Sequence, residues 1–108
     1  MLQASEIQQR FTHFKQTLEE AEKACQASQD APAEVRNSIQ RLAQESRQAE
    51  SVMKSNDQSR IIETVDRLED LGDEVKRTSR SAPQMPAHLE AVCTRVHAEL
   101  SDFKHKLH

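Results

Sequence analysis

Apolar residues recur along this chain in alternating steps of three and four positions. The first such series consists of Ile7, Phe11, Phe14, Leu18, Ala21 and Cys25. Because an α-helix has about 3.6 residues per turn, residues with this spacing share one face of a helix. A β-strand would alternate apolar and polar positions, and none of these series does so. The pattern therefore predicts an amphipathic helix with one narrow apolar stripe, of the kind found in coiled coils and helical bundles.

Three later segments repeat this spacing. Their stripes comprise Val35, Ile39, Leu42, Ser46, Ala49 and Met53, then Ile61, Val65, Leu68, Gly72 and Val75, and finally Leu89, Cys93, Val96, Leu100, Phe103 and Leu107. Acidic residues four positions before basic ones, such as Glu19 before Lys23, support the helical assignment independently, because such pairs are neighbours on a helix. We predict helices over residues 4–28, 32–55, 58–80 and 86–107.

Polar residues and prolines separate the predicted helices. Asp30 is a candidate N-cap for the second helix. Ser55 begins an S-x-x-Q sequence, which is typical of a capping box at the start of the third helix. Pro83 and Pro86 together end the third helix, and Pro86 is suited to the first position of the fourth. Each boundary thus has its own local signal in the sequence.

Helices of similar length joined by short connections run antiparallel to their neighbours in sequence. We therefore predict an all-α protein in which residues 1–108 form a single domain, an antiparallel up-down-up-down four-helix bundle. The weakest break lies between Met53 and Ile61, where the apolar pattern only shifts its register. The alternative is a three-helix chain, in which residues 32–80 form one long central helix and two chains associate as a dimer.

Two residues interrupt the apolar stripes. Ser46 replaces an apolar residue in the second stripe, and it is expected to hydrogen-bond the carbonyl four residues earlier or to fix the helix register. Gly72, the one glycine of the chain, replaces an apolar residue in the third stripe. Because glycine weakens a helix, we expect it to mark a close approach of two helices.

Composition and charge exclude several classes of partner. Hydrophobic residues make up 35% of the chain, charged residues make up 31%, and the net charge is −3. No segment is basic enough to bind nucleic acid. No apolar run approaches the ~20 residues that span a membrane. The first residues lack the basic and apolar regions of a signal peptide. We therefore expect a cytoplasmic protein that binds neither nucleic acid nor membranes.

The sequence lacks the motifs of an enzyme or of a cofactor site. A chain with a single glycine has no glycine-rich phosphate loop. No Glu-x-x-His pair, the signature of a di-metal bundle, occurs. His13, His88 and His97 also lack the lysine three residues later that is typical of a histidine phosphotransfer domain. We therefore predict no catalytic residue, no cofactor and no metal site.

Cys25 and Cys93 both occupy stripe positions. In an antiparallel bundle they lie at the same end of neighbouring first and fourth helices, so we consider them a possible redox pair. His97 follows Cys93 by one helical turn, and the three residues together suggest an alternative function as a metal- or redox-responsive bundle. Packing of both thiols as small apolar groups in a reducing compartment is the simpler interpretation.

Four apolar residues fall outside the narrow stripes, namely Val52, Ile62, Leu71 and Val92. They form an interaction surface if they group on the outside of the bundle, and they are absorbed if the real core is wider than the stripes. We therefore predict a small non-enzymatic protein–protein interaction module of the adaptor, chaperone or regulator type. The protein partner is unknown, and a second copy of the chain, giving a homodimer, is one candidate.

Overall fold

A computed structural model describes residues 2–108 as four α-helices without a β-strand. The helices are α1 (Ala4–Ala27), α2 (Ala33–Met53), α3 (Gln58–Ser81) and α4 (Ala87–Leu107). The all-α, four-helix prediction is confirmed, and each predicted boundary lies within two residues of the observed one. None of these four helices has both the length and the apolar character that a membrane-spanning helix needs.

The helices pack in a closed ring around one core. α1 contacts α2 and α4, and α3 also contacts α2 and α4, whereas the diagonal pairs make no close backbone contact. The bundle measures 41 × 20 × 17 Å. Residues 54–57 are not helical and separate α2 from α3. The alternative with one long central helix is therefore wrong, because the chain reverses direction at this break and closes the bundle by itself.

The structure corrects the predicted N-cap of α3. Asp57, not Ser55, is the N-cap of α3, and its carboxylate accepts a hydrogen bond from the Arg60 amide at 3.2 Å. The Ser55 hydroxyl instead donates to the Val52 carbonyl at 2.7 Å and accepts from the Asp57 amide at 3.3 Å. Ser55 therefore closes the end of α2, and the predicted capping box does not form.

Prolines occupy the N-cap positions of α2 and α4. Pro32 and Pro86 have extended backbones with φ of −59° and −57°, and each helix begins one residue later. Their carbonyls accept the first helical hydrogen bonds, from Arg36 and Glu90, both at 3.0 Å. Asp30 is therefore not the cap of α2, and Pro86 precedes α4. The fixed φ of proline suits a cap residue, whose backbone is still extended.

The four apolar stripes form the core. Phe14, Leu42, Leu68 and Leu100 are each at most 1% exposed. Burying a side chain of this size contributes about 1.5–3 kcal/mol to folding. Every apolar residue assigned to a stripe is buried. The bundle is thus held together by the residues that the spacing selects.

Small and polar residues in the core set how closely the helices pack. The Ser46 hydroxyl donates to the Leu42 carbonyl at 2.8 Å, as expected for a serine inside a helix. A Cβ atom added to Gly72 would lie 2.8 Å from Cδ1 of Leu100, so α3 and α4 approach too closely there for a larger residue without movement. The hydroxyls of Ser38 and Thr78, buried between α2 and α3, lie 3.1 Å apart.

Candidate functional site

Ion pairs connect every pair of neighbouring helices on the outside of the bundle. The interhelical pairs are Lys15–Glu50 and Arg47–Glu22 (α1/α2), Arg41–Glu74 and Arg67–Glu45 (α2/α3), His97–Asp73, Lys104–Glu69 and His108–Asp66 (α3/α4), and Arg10–Asp102, Arg95–Glu20 and His13–Glu99 (α1/α4). Exposed pairs of this kind contribute about 0–1 kcal/mol each. Their main effect is that charged side chains at the edges of each helix are paired with charged side chains of the neighbouring helices.

The outer side of the first half of α1 carries no charge. Its exposed residues are Ser5, Gln8, Gln9, Thr12 and Gln16, which we call the α1 face. Together with His13 they line one shallow depression of about 490 Å³. The charged residues of this segment lie to the sides: Arg10 pairs with α4, Lys15 pairs with α2, and the exposed carboxylate of Glu6 accepts a hydrogen bond from the Gln3 amide. The α1 face is therefore an uncharged polar surface on a highly charged protein.

A groove between α1 and α4 continues this surface. This α1/α4 groove has a volume of about 430 Å³ and is lined by Glu6, Gln9, Arg10, His13, Glu99, Asp102 and Phe103. Gln9 and His13 belong to both the groove and the α1 face. The Thr17 hydroxyl donates to Oε2 of Glu99 at 2.8 Å, which fixes that carboxylate at the floor of the seam. The two depressions thus form one continuous polar surface.

The other three helices present different outer surfaces. The outer row of α2 also contains uncharged side chains, such as Gln44 and Gln48, but no groove of this size adjoins it among the depressions described for residues 2–108. The outer row of α3 carries charges of both signs and includes Glu63, Asp70 and Arg77. The outer row of α4 is built from small residues such as Ala91. The α1 face thus differs from the other outer rows in presenting uncharged glutamine, serine and threonine side chains beside a groove of this size.

The apolar surface proposed from the sequence does not form. Val92 is 1% exposed and belongs to the core, so the prediction is wrong for this residue. Val52, Ile62 and Leu71 are half-buried and pack against the core. Ile62 and Leu71 are nine residues apart, which places them on opposite sides of α3 at about 100° per residue. The real core is wider than the stripes and absorbs these side chains.

The two cysteines are buried inside the bundle, and both are free thiols. Cys25 is 4% exposed and Cys93 is 0% exposed. Burial raises the pKa of both thiols, and the pKa of Cys93 reaches about 12, with a smaller contribution from the charge of Cys25. Thiols rather than thiolates are therefore present at neutral pH, and only thiolates attack disulfides or bind metals.

His97 does not join the two cysteines in a shared site. Its Nε2 atom lies 2.6 Å from Oδ1 of Asp73, so the ring is engaged with α3. Of the three residues of the metal- or redox-responsive hypothesis, two are buried thiols and the third, His97, contacts a carboxylate of α3.

A carboxylate cluster that sequence reasoning missed lies between α3 and α4. Oxygens of Glu69, Asp70 and Asp73 all lie within 4.8 Å of one another. Lys104 of α4 approaches Glu69 with an Nζ–Oε1 distance of 3.5 Å. Glu69 and Asp73 are one helical turn apart, and this spacing could have indicated their contact. Only the fold shows that Lys104 and His97 of α4 are their partners.

The pKa values of Glu69 and Asp73 are shifted in opposite directions. Burial raises the pKa of Glu69, and the hydrogen bond and charge of Asp73 raise it further, against the opposing effect of Lys104. Burial alone would also raise the pKa of Asp73, but hydrogen bonds from Glu69 and His97 outweigh it and hold this pKa below its ordinary value. Glu69 is thus the carboxyl group that binds a proton more readily.

The fold and surface define a small helical bundle with a polar exterior. No match to this chain was found among protein-family models, curated proteins or solved structures.

Proposed function

We propose that this protein is a non-enzymatic interaction module that binds a protein partner through the α1 face and the adjoining α1/α4 groove. The observation that carries the proposal is the uncharged row from Ser5 to Gln16 on the outside of a chain in which 31% of residues are charged. The centres of protein–protein interfaces are depleted in charged residues, because a buried charge without a partner costs far more free energy than a buried amide.

The chemistry of the surface suggests how the partner is bound. Among residues 2–108, no Leu, Ile, Val, Met, Phe or Cys side chain is fully exposed. The surface therefore offers few large apolar side chains, and we infer that hydrogen bonds supply the specificity. Glutamine side chains suit this role, because each amide both donates and accepts hydrogen bonds.

Within the groove, a non-enzymatic role is supported by the state of the Thr17 hydroxyl. Thr17 is 5% exposed, and its hydroxyl donates to Glu99 and also lies 3.3 Å from the carbonyl of His13. The Thr17 hydroxyl is therefore buried beneath the groove rather than presented to a ligand. We also propose the cytoplasm as the place of action, because two free cysteines fit a reducing compartment.

A photo-crosslinking scan in native cells tests the proposal. A photoreactive amino acid is placed at Gln9, at Gln16 or, as a matched control, at Gln44 on α2. We expect one product of the same mass from both α1 positions and none from Gln44. The double variant Gln8→Glu/Thr12→Glu, with the crosslinker at Gln16, is expected to lose this product and to keep its helical circular dichroism, since both positions are exposed. Equal yields at all three positions, or no product at α1, would contradict the proposal.

The same experiment on the purified protein distinguishes a homodimer from a different partner. If the partner is a second copy, the α1 positions give a crosslinked dimer at micromolar concentration, and sedimentation gives twice the chain mass of 12.3 kDa. If the partner is another protein, the purified chain sediments as a monomer and crosslinks only in cells.

A further inference from the structure

The carboxylate cluster beside α4 consists of three acidic side chains of α3. Glu69, Asp70 and Asp73 hold oxygens within 4.8 Å of one another. The Glu69 side chain is only 13% exposed. Its Oε2 atom is buried and accepts no hydrogen bond from any residue of the structure. A fully ionised cluster would leave this buried oxygen without a donor and would place like charges side by side.

One proton removes both difficulties. A carboxylic acid carries an O–H donor that a carboxylate lacks, and a second carboxylate at short distance is a strong acceptor for it. Two carboxyl groups held this close do not both ionise readily, and they bind one proton as a pair.

We propose that Glu69 and Asp73 share one proton, and that binding of this proton tightens the seam between α3 and α4. In the protonated pair, Glu69 donates its O–H to Asp73. The remaining negative charge lies on Asp73, which keeps its contact with His97 of α4. Loss of the proton leaves two adjacent negative charges, with Asp70 as a third, next to the tightly packed contact of Gly72 and Leu100.

The other charged groups around the cluster do not replace this proton. Lys104 is the cation of α4 that reaches Glu69, and it contacts the other oxygen, Oε1, at 3.5 Å. Asp66, on the preceding turn of α3, is paired with His108. On the α2 side, Arg41 pairs with Glu74 of α3. Among the residues that the structure describes, none donates a hydrogen bond to the buried Oε2 atom of Glu69.

The sign of the pH dependence follows from the two carboxyl groups. The pKa of Glu69 is raised above its ordinary value of 4.5, so its proton stabilises the fold fully below pH 4.5 and this contribution is lost as the pH rises through the folded-state pKa. The pKa of Asp73 is lowered below 3.8, so its charge stabilises the fold above pH 3.8 and this contribution is lost as the pH falls through its folded-state pKa. The seam is therefore tightest in mildly acidic solution, where the pair holds one proton.

Urea unfolding of the full chain between pH 4.5 and pH 7.5, with EDTA present to exclude cations, tests this proposal. Glu69→Gln mimics the protonated carboxyl group, and Glu63→Gln is the matched control on the exposed side of the same helix. The wild type is expected to gain in urea midpoint relative to Glu69→Gln as the pH falls. Glu63→Gln is expected to follow the wild type, because Glu63 lies outside the cluster. Comparing variants at the same pH cancels the contributions of the five histidines.

Carbon-13 NMR of the side-chain carboxyl groups in the wild type gives a second readout that requires no variant. The Glu69 resonance is expected to titrate above pH 4.5, and the Asp73 resonance is expected to respond in the same step. A Glu69 resonance that titrates at or below pH 4.5, or a constant difference between wild type and Glu69→Gln across the pH range, would overturn the proposal.

Discussion

Cys25 and Cys93 illustrate how far single residues can be interpreted from sequence. Their stripe positions predict two buried thiols at one end of neighbouring helices, and both thiols are buried. Sequence could not give their ionisation, because this depends on how completely the bundle excludes water. The spacing also marks Gly72 as a glycine at an apolar stripe position. Only the fold shows that Leu100 occupies the space that a side chain at this position would need.

We predict that neither cysteine reacts quickly in the folded protein. Burial keeps both side chains protonated, and a pKa of about 12 leaves Cys93 a thiol even at pH 9. Ellman's reagent at pH 7.5 should therefore detect both thiols only after a denaturant is added. Rapid reaction of the native protein, or zinc that remains bound after purification, would instead favour the metal- or redox-responsive alternative.

At the scale of the helices, apolar spacing predicts existence and length well, and it predicts cap residues poorly. Both Ser55 and Asp57 are good N-cap residues, so the sequence between α2 and α3 offers two starts for one helix. The choice is made by the end of α2, because Lys54 still has a helical backbone with φ of −89° and ψ of −5°. Ser55 therefore closes α2, and Asp57 is free to begin α3.

We predict that Asp57→Ala destabilises the bundle by about 1 kcal/mol, because the Arg60 amide loses its acceptor at the start of α3. Asn56→Ala is the matched control, since Asn56 is exposed in the same connection. Urea unfolding at pH 7.5 measures both variants. Equal stability of the two variants would show that the carboxylate of Asp57 does not cap the helix.

At the scale of the whole molecule, the fold class follows from sequence and the binding surface does not. Four stripes of similar length predict a bundle, but they do not give the width of its core. The core of the structure is wider than the stripes, so that Val92 is buried and Leu71 is half-buried. The α1 face is visible in the sequence as Gln, Ser and Thr residues at helical spacing. The sequence does not show that this face differs from the rest of the surface, because only the fold shows that flanking charged residues such as Arg10 are paired with residues of neighbouring helices.

Each proposal requires that one chain fills its own core, and an isotope-filtered NOE experiment tests this most directly. A sample mixed from carbon-13-labelled and unlabelled chains, refolded together, separates contacts within a chain from contacts between chains. We predict that the NOE between the Leu100 methyl protons and the Gly72 α-protons arises within one chain and is absent from the interchain spectrum. Its appearance in the interchain spectrum would mean that two chains build the core together, which would contradict this account.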